Sequence, residues 1–231
     1  MLRQGIRETS TTPKYDIGQR YPEGGRVFRY CRAATALTEK RGAAMGDTLH
    51  EQNSVGEAYA GDQDITIALA AADRDQFKNG YINVWTDPVQ VCLKVKGNEP
   101  AAGGNTVIHL AEPLLYNVPN ATFTDLHENK YRSVSSQGGG DPHRSVVCIP
   151  LVPVVAAEYF WGQTWGDVVG IAHAGGGIGA NPNERSVYFA NDGSIGLQSD
   201  VVGTVDCQQA GFMLPDTSAG DDIFYMLQLA P

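Results

Sequence analysis

Side chains able to carry chemistry are scattered along this chain rather than gathered. The five histidines, His50, His109, His127, His143 and His173, each stand alone, with no HExxH or HxH spacing to place two imidazoles on one metal ion. His127-Glu128 is the nearest cluster, and on a strand its two side chains point to opposite faces. Acidic pairs occur at Asp62/Asp64, Asp73/Asp75 and Asp221/Asp222. Such pairs could serve a glycosidase or hold Ca²⁺, but they sit in turn-like stretches where Asp commonly bonds its own backbone, and none follows an EF-hand loop. The glycine-rich run "HAGGGIGANPN" from His173 to Asn183 approaches a dinucleotide fingerprint, yet Pro182 stands where the third glycine belongs. It reads as a hairpin tip. With no GxSxG and no P-loop either, the sequence indicates no enzyme, no metal site and no cofactor.

Four cysteines, Cys31, Cys92, Cys148 and Cys207, lie far apart without a CxxC, and are read as reduced, buried small apolar residues. Aromatic residues are densest in "AEYFWGQTWGD", with Tyr159, Phe160, Trp161 and Trp165. Flat rings there could stack on a sugar, although a core strand or a subunit interface uses the same residues for buried area.

The elements that would position these groups are mostly strands. Among 231 residues, Gly 27 and Pro 12 supply many turns. "RVFRYCR" at Arg26 to Arg32 sets Phe28 and Tyr30 on one face, and Val89, Val91, Leu93 and Val95 alternate against Gln90, Cys92, Lys94 and Lys96. Further strands are expected at Tyr159 to Thr164, Val168 to Ala172 and Val201 to Cys207, with "NDG" at Asn191 to Gly193 as a tight turn. Only "AATALTEKR", Ala33 to Arg41, and a single turn capped by Asp73 have helical character. Strand signals every 10 to 20 residues or so predict a mainly β protein, a β-sandwich or small β-barrel. The predicted divisions are an extended N-terminal arm (1–25), a first β region (26–135), a Gly/Ser-rich linker (136–144) around "SSQGGGD", and a second β region (145–231).

Charge excludes one class of partner. The net charge is −9, but residues 1–44 hold nine basic side chains against four acidic ones, and the rest hold eight against twenty-two. An acidic body cannot displace counterions from phosphates, so no nucleic acid is expected. No window is apolar enough for a membrane span or a signal peptide, which places synthesis in the cytoplasm.

The blocks "YDIGQRYPEGGRVFRYCRAATAL", "ADRDQFKNGYINVWTDPVQVCLKVKGN", "VIHLAEPLL" and "YFWGQTWGD", in that order, resemble the capsid decoration, or cement, proteins of tailed bacteriophages. The resemblance implies a β-rich virion protein, often a homotrimer, on the capsid exterior, which staples neighbouring subunits of the major capsid protein. It implies contacts with the shell or with sister subunits through Tyr15, Arg20, Arg26, Phe28, Arg29 and Tyr30. The alternative expectation is a tail or head-fibre component that binds a host glycan through "YFWGQTW" and the glycine-rich loop.

Overall fold

A computed structural model describes residues 3–46, 49–86, 89–137, 144–173, 185–198, 208–215 and 222–231. The protein is mainly β, as expected, with sixteen named strands among these residues. It divides into two compact units: Thr48–Lys130, and a flanking unit made of Met1–Asp47 together with Tyr131–Pro231. This corrects the expected division, because contacts break at residues 47/48 and 130/131 rather than at the polar glycine run. Ser135 and Ser136 lie in a strand, and 138–143 fall outside the described residues.

The inserted unit contains β4 (Leu49–Asn53), β5 (Asp64–Ile67), β6 (Tyr81–Trp85), β7 (Gln90–Asn98), β8 (Thr106–Leu110) and β9 (Phe123–His127), paired antiparallel in the order β4-β9-β6-β7-β8-β5. Period-two alternation builds it. Leu93 and Val95 of β7 turn inward while Gln90, Cys92, Lys94 and Lys96 face solvent, and Ile65, Ile67, Ile82, Val84, Ile108 and Leu126 join them around Phe77. The sheet curls until its edges meet. The Val55 amide donates to the Thr66 carbonyl (2.8 Å) and the Ala68 amide to the Asn53 carbonyl (2.9 Å), tying the end of β4 to β5 and leaving little open edge.

In the flanking unit, the strands are β1 (Arg20–Glu23), β2 (Arg26–Arg32), β3 (Ala43–Met45), β10 (Val134–Ser136), β11 (Val146–Pro150), β12 (Tyr159–Gly170), β13 (Ser186–Phe189), β14 (Ile195–Leu197), β15 (Gln209–Met213) and β16 (Ile223–Gln228). They run β10-β3-β11-β12-β16-β15-β13-β14, with β2 also on β12 and β1 on β2. At the far end the Ile195 amide donates to the Ile171 carbonyl (2.8 Å) and the His173 amide to the Ile195 carbonyl (2.8 Å), which brings β14 back beside the chain that continues β12.

Twelve residues long, β12 fuses two strands expected to be separate. Its register shifts between Gln163 and Trp165, and Gly166 takes φ +92°. The fully buried Gln163 shares the two hydrogens of Nε2 among the carbonyls of Trp165 (3.1 Å), Gly166 (3.2 Å) and Asp167 (2.9 Å), so one side chain serves the acceptors that the irregularity turns inward. Ala33 to Arg41 forms no helix. Ala33 bridges Val134 and Leu37 bridges Val154, because burying Ala33 and Leu37 overrides the local propensity. The Asn191–Gly193 turn stands as read, with Gly193 at φ +77° between β13 and β14. The expected strand at Val201 to Cys207 lies outside the described residues.

Candidate functional site

Residues 3–19 pack against their own unit rather than extending from it as an arm. Gln4 is 2% exposed, and its Nε2 donates to the carbonyls of Glu8 (2.8 Å) and Tyr159 (2.9 Å). Tyr30 Oη donates to Gln4 Oε1 (2.6 Å), and Trp161 Nε1 donates to the Gln4 carbonyl (3.1 Å). Ser10 bridges Tyr159. The segment is thus fastened to β12 of its own unit by buried polar bonds, each of which would be costly to leave unmade.

Those bonds lead into an aromatic core. Phe28, Tyr30 and Trp161 pack with Ile6, Tyr15, Ile17, Tyr21 and Tyr159 against them. Tyr15 lies 5.3 Å from the Tyr30 ring and 5.0 Å from Trp161, and Tyr159 stacks on Tyr30 at 6.0 Å. The placement of the expected contact residues follows. Phe28 and Tyr30 are 0% exposed and are core side chains rather than surface contacts. Tyr15 is half-buried on the same cluster and Arg20 is exposed. Arg26 pairs with Glu23 (2.7 Å) and covers the Phe28 ring, while Arg29 donates to the Gly18 and Pro231 carbonyls. Phe160 and Trp161 are each 1% exposed, so neither offers a ring face to a sugar, and Tyr159 and Trp165 are half-buried. The glycine-rich loop assigned to the same role, 174–183, lies outside the described residues. Two of the sequence blocks that carry the resemblance are therefore packing partners, with β2 laid along the first half of β12.

Two clusters of titratable groups have features of chemistry. Near the β13–β14 turn, Ser194 Oγ bonds Asp192 Oδ1, and His173 Nδ1 lies 2.9 Å from the same Oγ. Burial works against the Asp192 charge, but the Ser194 hydroxyl and amide and the Arg41 guanidinium outweigh it and lower the carboxyl pKa to about 2. A serine hydrolase needs imidazole as base on the hydroxyl and the carboxylate behind the imidazole. Here the carboxylate sits on the hydroxyl itself, and at that pKa it is a poor base. The cluster braces the turn, and Ser194 is 1% exposed.

On the inserted unit, His109 Nδ1 lies 2.6 Å from Asp64 and its Nε2 3.4 Å from Glu99, which Arg74 engages at 2.6 Å. The Asp64 hydrogen bond raises the His109 pKa against a smaller opposing effect of burial. This chain of opposite charges borders a shallow hollow of about 290 Å³. Asp64 is thus a strand residue and not a turn carboxylate. Asp62 does behave as one, taking the Tyr59 amide at 2.8 Å. Among the described residues no group of three or more His, Cys, Asp or Glu side chains is placed to hold a metal ion, and no helix is long and apolar enough to cross a membrane.

A contiguous apolar surface stands out instead, and the sequence pattern hid it. Val169 of β12 is in register with Phe224 of β16, whose carbonyl accepts from the Leu214 amide, and the next row runs from the exposed Asp167 of β12 through Met226 to Phe212 of β15, so one carboxylate borders the apolar residues. Val169, Phe224, Leu214 and Phe212 are each 37–40% exposed, and Met226 is half-buried among them. Their neighbours one step along each strand, Val168, Tyr225 and Met213, fill the core. Strands apolar on both faces read as fully buried runs, so only the three-dimensional register identifies which residues are left outside.

No family model matches this chain, and no curated protein or solved structure matches it.

Proposed function

We propose that this protein is a virion structural component that binds the outside of a capsid shell built from the major capsid protein, and that it works by contact rather than by catalysis. The observation that carries the reading is the apolar face of β12, β16 and β15, where Val169, Phe224, Leu214, Met226 and Phe212 form two adjoining rows on a rigid antiparallel scaffold. A patch of this kind is what a soluble protein keeps when something else covers it. The shell as partner, and self-association as a trimer, come from the resemblance of the sequence blocks to decoration proteins. Contact with sister subunits and with the shell would share this face and the exposed basic side chain of Arg20. Repetition across a lattice then multiplies weak contacts, since each becomes effectively intramolecular once its neighbour is made.

The test uses shells of the encoding virus purified without this protein. The wild-type chain is expected to bind at a lattice-symmetric copy number, and Phe224→Asp, which places a charge in the middle of the patch, to lower occupancy at least tenfold while the fold survives. Full occupancy by Phe224→Asp refutes the assigned face. Failure of the wild-type chain to bind shells refutes the reading itself.

A further inference from the structure

The outer face of the inserted unit's sheet carries a second exposed surface, of a different character. Three rows cross it in register. Leu49, His127, Tyr81 and Lys94 form one, Glu51, Asp125, Asn83 and Cys92 the next, and Asn53 opposite Phe123, with Trp85 opposite Gln90, the third. Tyr81, Trp85 and Phe123 are 51%, 49% and 42% exposed. The Trp85 and Phe123 rings meet at 6.1 Å, and Trp85 Nε1 donates to Asp125 Oδ2 (2.9 Å), which fixes the indole plane on the sheet. Tyr81 lies four residues from Trp85 along β6, about 13 Å at ordinary strand rise. Between the aromatic ends runs the row of Glu51, Asp125 and Asn83. Two carboxylates directly opposite one another on neighbouring strands cost stability, so the fold has no need of that row for its own sake.

From this geometry we infer that the face is a binding platform for a neutral oligosaccharide, with Trp85, Phe123 and Tyr81 as stacking surfaces and Asp125, Asn83 and Glu51 as hydrogen-bonding partners for the hydroxyl groups of the sugar. The arrangement selects among occupants. A protein interface concentrates its apolar and aromatic residues at the centre and excludes charge from it, whereas here the centre is charged and the rings flank it. Single-stranded nucleic acid also stacks on aromatic side chains, but its phosphates require a basic groove, and the two carboxylates repel them. The same repulsion excludes acidic sugars. An uncharged polyol suits the central row and its flanking rings: carboxylates accept from its hydroxyls, the Asn83 amide donates and accepts, the exposed Lys94 opposite Tyr81 can donate to a further hydroxyl, and its apolar ring faces cover the aromatic rings. The site is independent of the shell-binding face and does not rest on that assignment.

The full chain, labelled and applied to a printed array of neutral and acidic oligosaccharides, tests this. Binding is expected on neutral structures, with Trp85→Ala weakening it by roughly tenfold, the worth of one aromatic contact. Phe123→Ala and Asn83→Ala should weaken it as well. Because these side chains lie on the outer face, the variants should melt with the wild-type chain, and Phe123→Ala serves if Trp85→Ala does not fold. An array without signal overturns the inference, as do binding restricted to acidic sugars and wild-type binding by all three variants. Occupancy of empty shells by Trp85→Ala should remain unchanged. Loss of that occupancy would mark the face as a protein contact and would overturn the inference, while the wild-type chain's binding to shells would still support the proposed function.

Discussion

Replacing Gln4 by Ala tests whether the N-terminal segment belongs to the folded body. Its amide is at the centre of three side-chain bonds of 2.6–2.9 Å, two donated to carbonyls and one accepted from Tyr30 Oη. Truncation leaves the carbonyls of Glu8 and Tyr159 without that donor and the Tyr30 hydroxyl without its acceptor. A buried polar group left unpaired costs about 1–3 kcal/mol, and water entering the vacated volume recovers part of that, so the expected loss is about 2–4 kcal/mol. The measurement is urea unfolding followed by fluorescence in a Trp85→Phe background, where the two remaining indoles, Trp161 and Trp165, both belong to the flanking unit. A cycle with Tyr30→Phe isolates the single bond and should give a coupling of roughly 1 kcal/mol. A loss under about 0.5 kcal/mol with no coupling would refute the docking of residues 3–19. The result also governs how a truncation is interpreted. Deleting Met1 to Arg20 would remove shell binding by damaging the core, without the segment touching a shell.

Other expectations follow from the same interior. Gly162→Ala would set its Cβ 2.5 Å from Cys148 Sγ and 2.6 Å from Cys148 Cβ, so denaturation should show a loss of about 1–3 kcal/mol, which Cys148→Ala does not restore because the Cβ overlap remains. Burial raises the pKa of Tyr30, Tyr131 and Tyr225, and burial likewise raises that of the Cys31 thiol. Each is neutral when protonated, so the folded state holds protons that the unfolded chain releases near pH 9–10. These four groups are therefore expected to make stability fall as pH rises through that range, read as a declining urea midpoint. A midpoint unchanged to pH 11 or so would contradict the assignment.

Strands were legible where apolar and polar residues alternate cleanly, as in β7, but not in β4, whose alternation is weak. The alternation of β7 predicts which side chains enter the core, and "NDG" gives its turn correctly. Where both faces are covered the pattern says less. "YFWGQTWGD" carries large residues at successive positions, and its division into two strands failed because a buried Gln163 holds the irregularity together inside one. The reading of residues 1–25 as an arm failed for a related reason. Short polar segments show no periodicity whether they are free or pinned by one buried amide, and Gln4 looks like any surface glutamine in sequence. The exposed aromatic face of the inserted unit was missed because Phe123 lies 38 residues beyond Trp85 along the chain and joins Tyr81 and Trp85 only through the β6–β9 register.

The interrupted unit has a consequence for biosynthesis. Residues Thr48–Lys130 form a contiguous stretch whose strands find all their partners within it, so it can fold while the rest of the chain is still on the ribosome. The surrounding unit cannot, because Tyr30 on β2 is in register with Trp161 on β12, and no strand that pairs with β2 other than β1 precedes the insert. Until β12 emerges, the β1–β2 hairpin must wait with Phe28 and Tyr30 lacking Trp161 and with the edge of β2 that pairs with β12 open. Slowing translation after residue 130 should therefore increase aggregation of nascent chains, and Phe28→Ser should relieve that aggregation even as it weakens the finished protein.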